Sequence, residues 1–250
     1  MSILIRFQKK SFVKPTIKLI SKTAYIYFIN FDISKHEISS LKNYLSEDEI
    51  IKASKFRFQK DKNASIITRG ALRLLSSEYL NIKPEDISFK YGEYGKPDYD
   101  FETNLKFNVS HSGQVAIIGF VLNDDIGVDV EEIKTDFDVL DIVSNYFSKT
   151  EIKSLKKLPK ENHTKGFYRC WTRKESFIKA KANGLSFPLD SFSVSIDSDE
   201  KTELLETKWD STEKESWKLF TFSPQENYIG AVSIKGNINN IKYFTFNKFK

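Results

Sequence analysis

The stretch SKTEIKSLKKL, Ser148 to Leu158, carries a helix-start signature: a serine followed three residues later by a glutamate, then apolar residues at helical spacing. The same signature opens SEDEIIKASKF, Ser46 to Phe56, 102 residues earlier. Behind each runs a longer amphipathic pattern, NASIITRGALRLLSSEYL in one case and GFYRCWTRKESFIKAKA in the other. Behind those come Pro84 and Pro188, 104 residues apart, each followed two positions later by an aspartate and then by a short Phe-containing strand pattern. A near-constant offset across a capped helix, a second helix and a Pro-x-Asp-strand unit predicts a duplication. The expected fold is therefore α/β of the α+β kind: two similar halves, residues 1–115 and 116–250, each a small sheet with packed helices. The seam between them is the expected cleft.

Composition agrees with a folded chain. Of 250 residues, 40% are hydrophobic and 29% charged, and 21 Phe with 11 Tyr supply bulky core material. The net charge of +5 suits an anionic ligand or partner. The lysines are dispersed among acidic residues, so no nucleic-acid partner is expected. One cysteine, Cys170, excludes an intrachain disulfide and a Cys-rich zinc site, and its aromatic surroundings predict a buried, inert thiol. No apolar run is long enough to span a membrane, and MSILIRFQKK has too short an apolar run for a signal peptide, so a cytoplasmic location without membrane contact is expected.

The strand patterns are TAYIYFINF, PEDISFKY, two runs near 105–110 and 114–122, and IGVDVEE, Ile126 to Glu132. In the last, Ile126, Val128 and Val130 alternate with Gly127, Asp129 and Glu131. An apolar face is buried; the opposite face puts two repelling carboxylates one pleat apart. Three further stretches carry polar residues of chemical use: GEYGKP presents Lys96 on a Gly-rich turn, FNVSHSG ends a strand in Ser110, His111 and Ser112, and WTRKESFIKA places Glu175 and Lys179 four apart on a helix. Taken alone, Glu175 and Lys179 read as a surface i,i+4 ion pair, His111 as a solvated or core histidine, and Lys96 as a surface lysine. Trp171, Phe167 and Ile178 face the core.

Taken together, the residues suit one chemistry. Three carboxylates form a hard, all-oxygen donor set fitted to Mg²⁺, and dispersed Lys and His suit the remaining phosphate charge. That points to a Mg²⁺–pyrophosphate substrate and phosphoryl-type transfer. GEYGKP lacks Walker A spacing and has Pro97 where Ser or Thr would hold a metal, and no GxGxxG occurs, which disfavours a P-loop NTPase and a dinucleotide-binding dehydrogenase.

GKP, FNVSHSG, IGVDVEE, FSKTE and FYRCWTRKESFIKAKANGLSFPLDSFSV occur in this order and spacing, and together resemble the 4′-phosphopantetheinyl transferases of the surfactin-synthetase-activating type over roughly residues 45–235. The resemblance implies two similar α/β halves related by a pseudo-two-fold axis, each with a small antiparallel sheet, and an active site in the seam. It implies transfer of the phosphopantetheine arm of coenzyme A to a serine of an apo acyl or peptidyl carrier protein, leaving 3′,5′-ADP. It assigns Mg²⁺, with Mn²⁺ as an alternative, to Asp129, Glu131 and Glu175, and makes Glu175 the favoured candidate for activating the carrier serine, directly or through water. Lys179 then neutralises the pyrophosphate and departing phosphate. Ser110 and His111 contact the nucleotide phosphates, His111 at the 3′-phosphate; Lys96 and Lys52 reach coenzyme A. The N-terminal half supplies nucleotide contacts and the C-terminal half the metal site and catalytic helix. A monomer is implied. An arginine that some relatives use falls on Ala64, with Arg69 and Arg73 unassigned on the same helix. Glu132 points away from the site by alternation. The different-class alternative is a coenzyme A or carrier-binding module without catalysis; the complete carboxylate set and Lys179 argue against it. NNIKYFTFNKFK, at the C-terminus, reads as a further strand of unassigned role.

Overall fold

The computed structural model describes residues 19–184 and 187–246. The N-terminal MSILIRFQKK segment lies outside them.

Chain order in the first half is β1 (Thr23–Asn30), α1 (Lys35–Lys42), α2 (Glu47–Ser54), α3 (Gln59–Leu80), a one-turn 3₁₀ helix at Pro84–Asp86, a hairpin of β2 (Phe89–Tyr91) and β3 (Pro97–Tyr99), and a hairpin of β4 (Leu105–Ser112) and β5 (Val115–Leu122). The second half gives β6 (Ile126–Glu132), α4 (Lys149–Lys157), α5 (His163–Lys181), and a 3₁₀ turn at Leu189–Ser191. The hairpins β7 (Phe192–Val194) with β8 (Leu204–Thr207) and β9 (Trp217–Phe222) with β10 (Tyr228–Lys235) follow. Apart from α1, which has no α-helical counterpart, the order of these elements repeats. It repeats in the sheets as well: β1-β5-β4 in the first corresponds to β6-β10-β9 in the second, all antiparallel. Both capping boxes expected from the sequence form, Ser46 with Glu49 and Ser148 with Glu151.

The C-terminal stretch is strand β11 (Asn240–Thr245), which leaves the second half and pairs in parallel with β1 at the edge of the first sheet. Helix α1 is an element that the sequence reading passed over. It too opens on a capping box, Ser34 with Glu37, but buries only Leu41 and so shows little apolar periodicity.

Two-residue alternation explains the layers. Tyr25, Tyr27 and Ile29 of β1, with Ala116, Ile118 and Phe120 of β5, face the helices α1–α3. Ala24, Ile26 and Phe28, with Val115, Ile117 and Val121, face the other way, onto Ile126, Val128 and Val130 of β6 and Val232 and Ile234 of β10. The sheets therefore share an apolar layer, and the apolar face of IGVDVEE is buried in it. A third core joins α5 to the second sheet through Phe167, Phe177, Ile178, Trp217 and Ile229, with Cys170 fully buried.

Candidate active site in the seam

Strand β4 is the edge of the first sheet and β6 an edge of the second, and they lie side by side without a backbone ladder. Side chains of β4 make the join instead. Asn108 Oδ1 accepts the Val128 N–H at 2.9 Å, Ser110 Oγ donates to Asp129 Oδ1 at 3.0 Å, and Ser112 Oγ donates to Glu131 Oε2 at 2.9 Å. The far side of β6 is covered by α5, which approaches so closely at Gly127 that a Cβ there would overlap the Ser176 carbonyl and the Ala180 amide. Both faces of β6 are thus enclosed, and the carboxylate face that alternation left open to solvent lies inside the seam.

Helix α5 brings Glu175 and Lys179 to that face. They do not form a simple surface pair: Glu175 is 7% exposed, and the Lys179 ammonium donates to Asp129 Oδ1 at 2.6 Å and to Ser110 Oγ at 3.1 Å. Asp129 is 3% exposed. Three carboxylates and one ammonium share a poorly solvated space, so negative charge is in excess. Burial first, and then Asp129 beside it, push the Glu175 carboxyl up to about 7. Burial and the same neighbour raise Glu131, with Ser112 and the Trp171 indole N–H working against the rise. Burial raises Asp129 too, opposed by Lys179. Burial disfavours the Lys179 ammonium, but Asp129, Glu175 and Glu131 outweigh it and hold the lysine protonated.

Two buried oxygens of this cluster, Asp129 Oδ2 and Glu175 Oε1, accept no hydrogen bond. Among the described residues no three or more acidic, imidazole or thiol groups are gathered so that they alone would hold a metal ion. The orphaned oxygens, the all-oxygen donors and the excess negative charge nevertheless fit a hard divalent cation, which would satisfy both oxygens and offset the charge.

His111, next to Ser110 on β4, has an exposed side; surrounding protein and then Lys179 hold its imidazole below the usual value. Lys96 is drawn inward, its ammonium donating to Ile126 O at 3.1 Å and Ala180 O at 3.2 Å, and burial lowers it to about 8. It lies along a cleft of about 300 Å³ with Lys90, Tyr91, Lys106 and Lys181. Lys52 is exposed on α2, its ammonium 5.3 Å from the Tyr91 ring centre. Arg69 pairs with Glu49 at 3.0 Å and donates to Tyr91 Oη, whereas Arg73 is buried, binding Glu49, Pro84 O and Ile87 O as an internal brace. Asn108 and Ser112 belong to the site, and the sequence, which shows Ser112 only within the FNVSHSG run, gave neither a role in it. Their signal was the polar alternation Asn108, Ser110, Ser112 in FNVSHSG, matching that of IGVDVEE.

Fold and site define a two-lobed α+β protein with an acidic cluster and a lysine in its seam. Comparison with known proteins gives the family. Residues 125–233 match the 4′-phosphopantetheinyl transferase superfamily, and residues 29–121 match the N-terminal region of 4′-phosphopantetheinyl transferases. The 4′-phosphopantetheinyl transferase ffp of Bacillus subtilis is 38% identical over 70% of this chain and 77% of its own. HetI of Nostoc, another such transferase, is 29% identical over 89% of this chain and 92% of its own. The L-aminoadipate-semialdehyde dehydrogenase-phosphopantetheinyl transferase of the mouse is 29% identical over 61% of this chain. The chain belongs to the 4′-phosphopantetheinyl transferases and is an enzyme that transfers the phosphopantetheine arm to carrier proteins, for which coenzyme A is the fitting co-substrate. No helix among the described residues is long and apolar enough to cross a membrane.

Proposed function

We propose that this transferase joins the phosphopantetheine arm of coenzyme A to a serine of an apo acyl or peptidyl carrier protein in a Mg²⁺-dependent step, with Mn²⁺ as a substitute, and releases 3′,5′-ADP. One observation carries the reading: the Asp129–Glu131–Glu175 cluster, with Lys179 against Asp129 and two buried oxygens left without donors. Asp129, Glu131 and Glu175 would hold the cation. Bound there, it would neutralise charge on the pyrophosphate.

The chain's own groups supply the rest. Glu175, directly or through water, takes the proton of the carrier serine as its oxygen bonds to phosphorus. The phosphorus–oxygen bond to the nucleotide breaks, and the Lys179 ammonium offsets the charge of the departing phosphate. Ser110 and His111 would contact the nucleotide phosphates, and Lys52 would reach the same nucleotide end of coenzyme A. Lys96 contributes to the coenzyme A site through the turn it anchors, its ammonium being held by two carbonyls.

In this reading residues 1–115 supply nucleotide contacts and residues 116–250 the metal site and catalytic helix. The two family matches, meeting between residues 121 and 125, support a seam close to that boundary. The division is one of function, since β5 and β11 both lie in the first sheet. The shared apolar layer supports a monomer, and the reading places the protein in the cytoplasm.

Intact-mass spectrometry of an apo carrier protein incubated with this protein, coenzyme A and Mg²⁺ tests it. The expected result is a gain of one phosphopantetheine arm that EDTA abolishes. A gain that persists unchanged in EDTA would overturn the metal requirement, and no gain on several acyl and peptidyl carriers would overturn the carrier assignment.

A further inference from the structure

We infer that Ser112 is a positioning residue for Glu131, so that the N-terminal half sets the donor geometry of the C-terminal half's metal site. The inference rests on the metal reading above. Its basis is the hydrogen-bond order around the Ser112 hydroxyl. Ser112 Oγ accepts the Glu132 backbone N–H at 3.1 Å and donates to Glu131 Oε2 at 2.9 Å. The acceptor side is taken by a fixed backbone group, so the hydroxyl proton has one direction, toward the carboxylate.

Glu131 needs such a hold. Burial along β6 is complete from Ile126 to Val130 and falls off at Glu131 and Glu132, where the strand leaves the seam. A glutamate there has three side-chain torsions and solvent within reach, and fixing it costs entropy. Ser112 holds it from the first sheet. Ser110 is built alike: it accepts from Lys179 and donates to Asp129. Two serines one pleat apart on one edge strand thus orient two carboxylates one pleat apart on another. Ser112 does this without touching Lys179 in any contact the structure gives, so its role separates from that of the reacting groups. Partners of metal-binding carboxylates fix their orientation, and losing one weakens metal binding roughly 10–100-fold.

The test is direct binding of Mn²⁺, read as the free-ion signal in electron paramagnetic resonance, with no coenzyme A or carrier present. Wild type is compared with Ser112→Ala, Ser112→Thr and Ser112→Val, and with Glu131→Gln as the reference for a lost ligand. The Thr and Val side chains share a shape and differ in the hydroxyl. The expected result is that Thr binds within about threefold of wild type, while Ala and Val bind roughly tenfold or more weakly. Should the alanine variant fail to fold, the Thr–Val difference decides alone. Ala and Val binding as wild type does, while Glu131→Gln binds weakly, would overturn the inference. Equal losses in Thr and Val would also overturn it, since shape and not the hydroxyl would then matter. Wild type that binds no Mn²⁺ either alone or with coenzyme A added would instead overturn the metal reading itself.

Discussion

Gly127 of β6 and Ser176 of α5 are in van der Waals contact through the glycine α-carbon and the serine carbonyl, with no room for a side chain between them. That contact seats the helix bearing Glu175 and Lys179 on the strand bearing Asp129 and Glu131. An added methyl meets backbone on both α5 contacts, the Ser176 carbonyl and the Ala180 amide, so rotamer changes cannot absorb it. Gly127→Ala is expected to lower unfolding free energy by about 3 kcal/mol in urea titration. Transfer activity falls further than the folded fraction, because α5 must shift to admit the methyl.

Adjacent residues on α5 serve opposite purposes. Lys174 is wholly buried, and its ammonium donates to Glu151 Oε1 at 2.7 Å and to Phe192 O at 2.7 Å; Glu151 Oε1 also accepts from Val194 N. This knot ties α4, α5 and β7 together, away from the acidic cluster. Lys174→Ala leaves the Glu151 carboxylate buried without its counter-charge, and a loss of about 3–5 kcal/mol is expected in equilibrium unfolding. Glu175→Gln, one residue on, is expected to leave stability at neutral pH equal or higher while removing transfer.

The duplication was legible because its signals are local: two capping boxes, two long helices and two Pro-x-Asp units each depend on residues near in sequence. What was not legible is tertiary. The partner of β11 is β1, some two hundred residues away, and a strand pattern does not say which edge it joins. Spacing put Glu175 and Lys179 on one helix face and suggested that they pair, yet Lys179 turns to Asp129, a choice made by the approach of β6. Lys96 looked like a surface lysine because nothing local shows the two carbonyls that it meets across the seam. Asp129 and Glu131 were found because alternation is a two-residue rule; that Ser110 and Ser112 face them across the seam only the fold reveals.

Metal-free protein is expected to lose stability as pH rises through the range set by Glu175. Its carboxyl stands near 7 in the folded chain and near 4.5 when solvated, so between those values the native state binds more protons than the unfolded one. Stability therefore falls with rising pH across that window, by an amount on the order of 3 kcal/mol if the whole shift is realised. Urea midpoints measured in EDTA from pH 4.5 to 8 check the slope. Glu175→Gln, which has no proton to lose, should flatten it.

Asp129 is the point where both halves and both charges meet, taking donors from Ser110 and Lys179. Asp129→Ala is expected to reduce transfer by about 10²–10³-fold or more while leaving the thermal midpoint little changed, since it also removes like-charge repulsion with Glu131 and Glu175. Full activity in that variant, measured by carrier mass, would remove Asp129 from the site.

His111 offers a test that separates ends of coenzyme A. It lies on β4 beside Ser110 and is exposed, and its imidazole is held below its usual value by surrounding protein and Lys179. A phosphate brought against it would favour the imidazolium, making a charge-assisted hydrogen bond worth about 1.5–3 kcal/mol. His111→Ala should therefore weaken coenzyme A binding roughly 10–100-fold by calorimetry. Binding of dephospho-coenzyme A, which lacks the 3′-phosphate, should change far less. Equal losses on both ligands would place His111 at some other part of the nucleotide. The pH dependence has a fixed sign as well: the wild-type preference for coenzyme A over its dephospho form should shrink as pH rises and the imidazolium becomes harder to form, and the alanine variant should show no such trend.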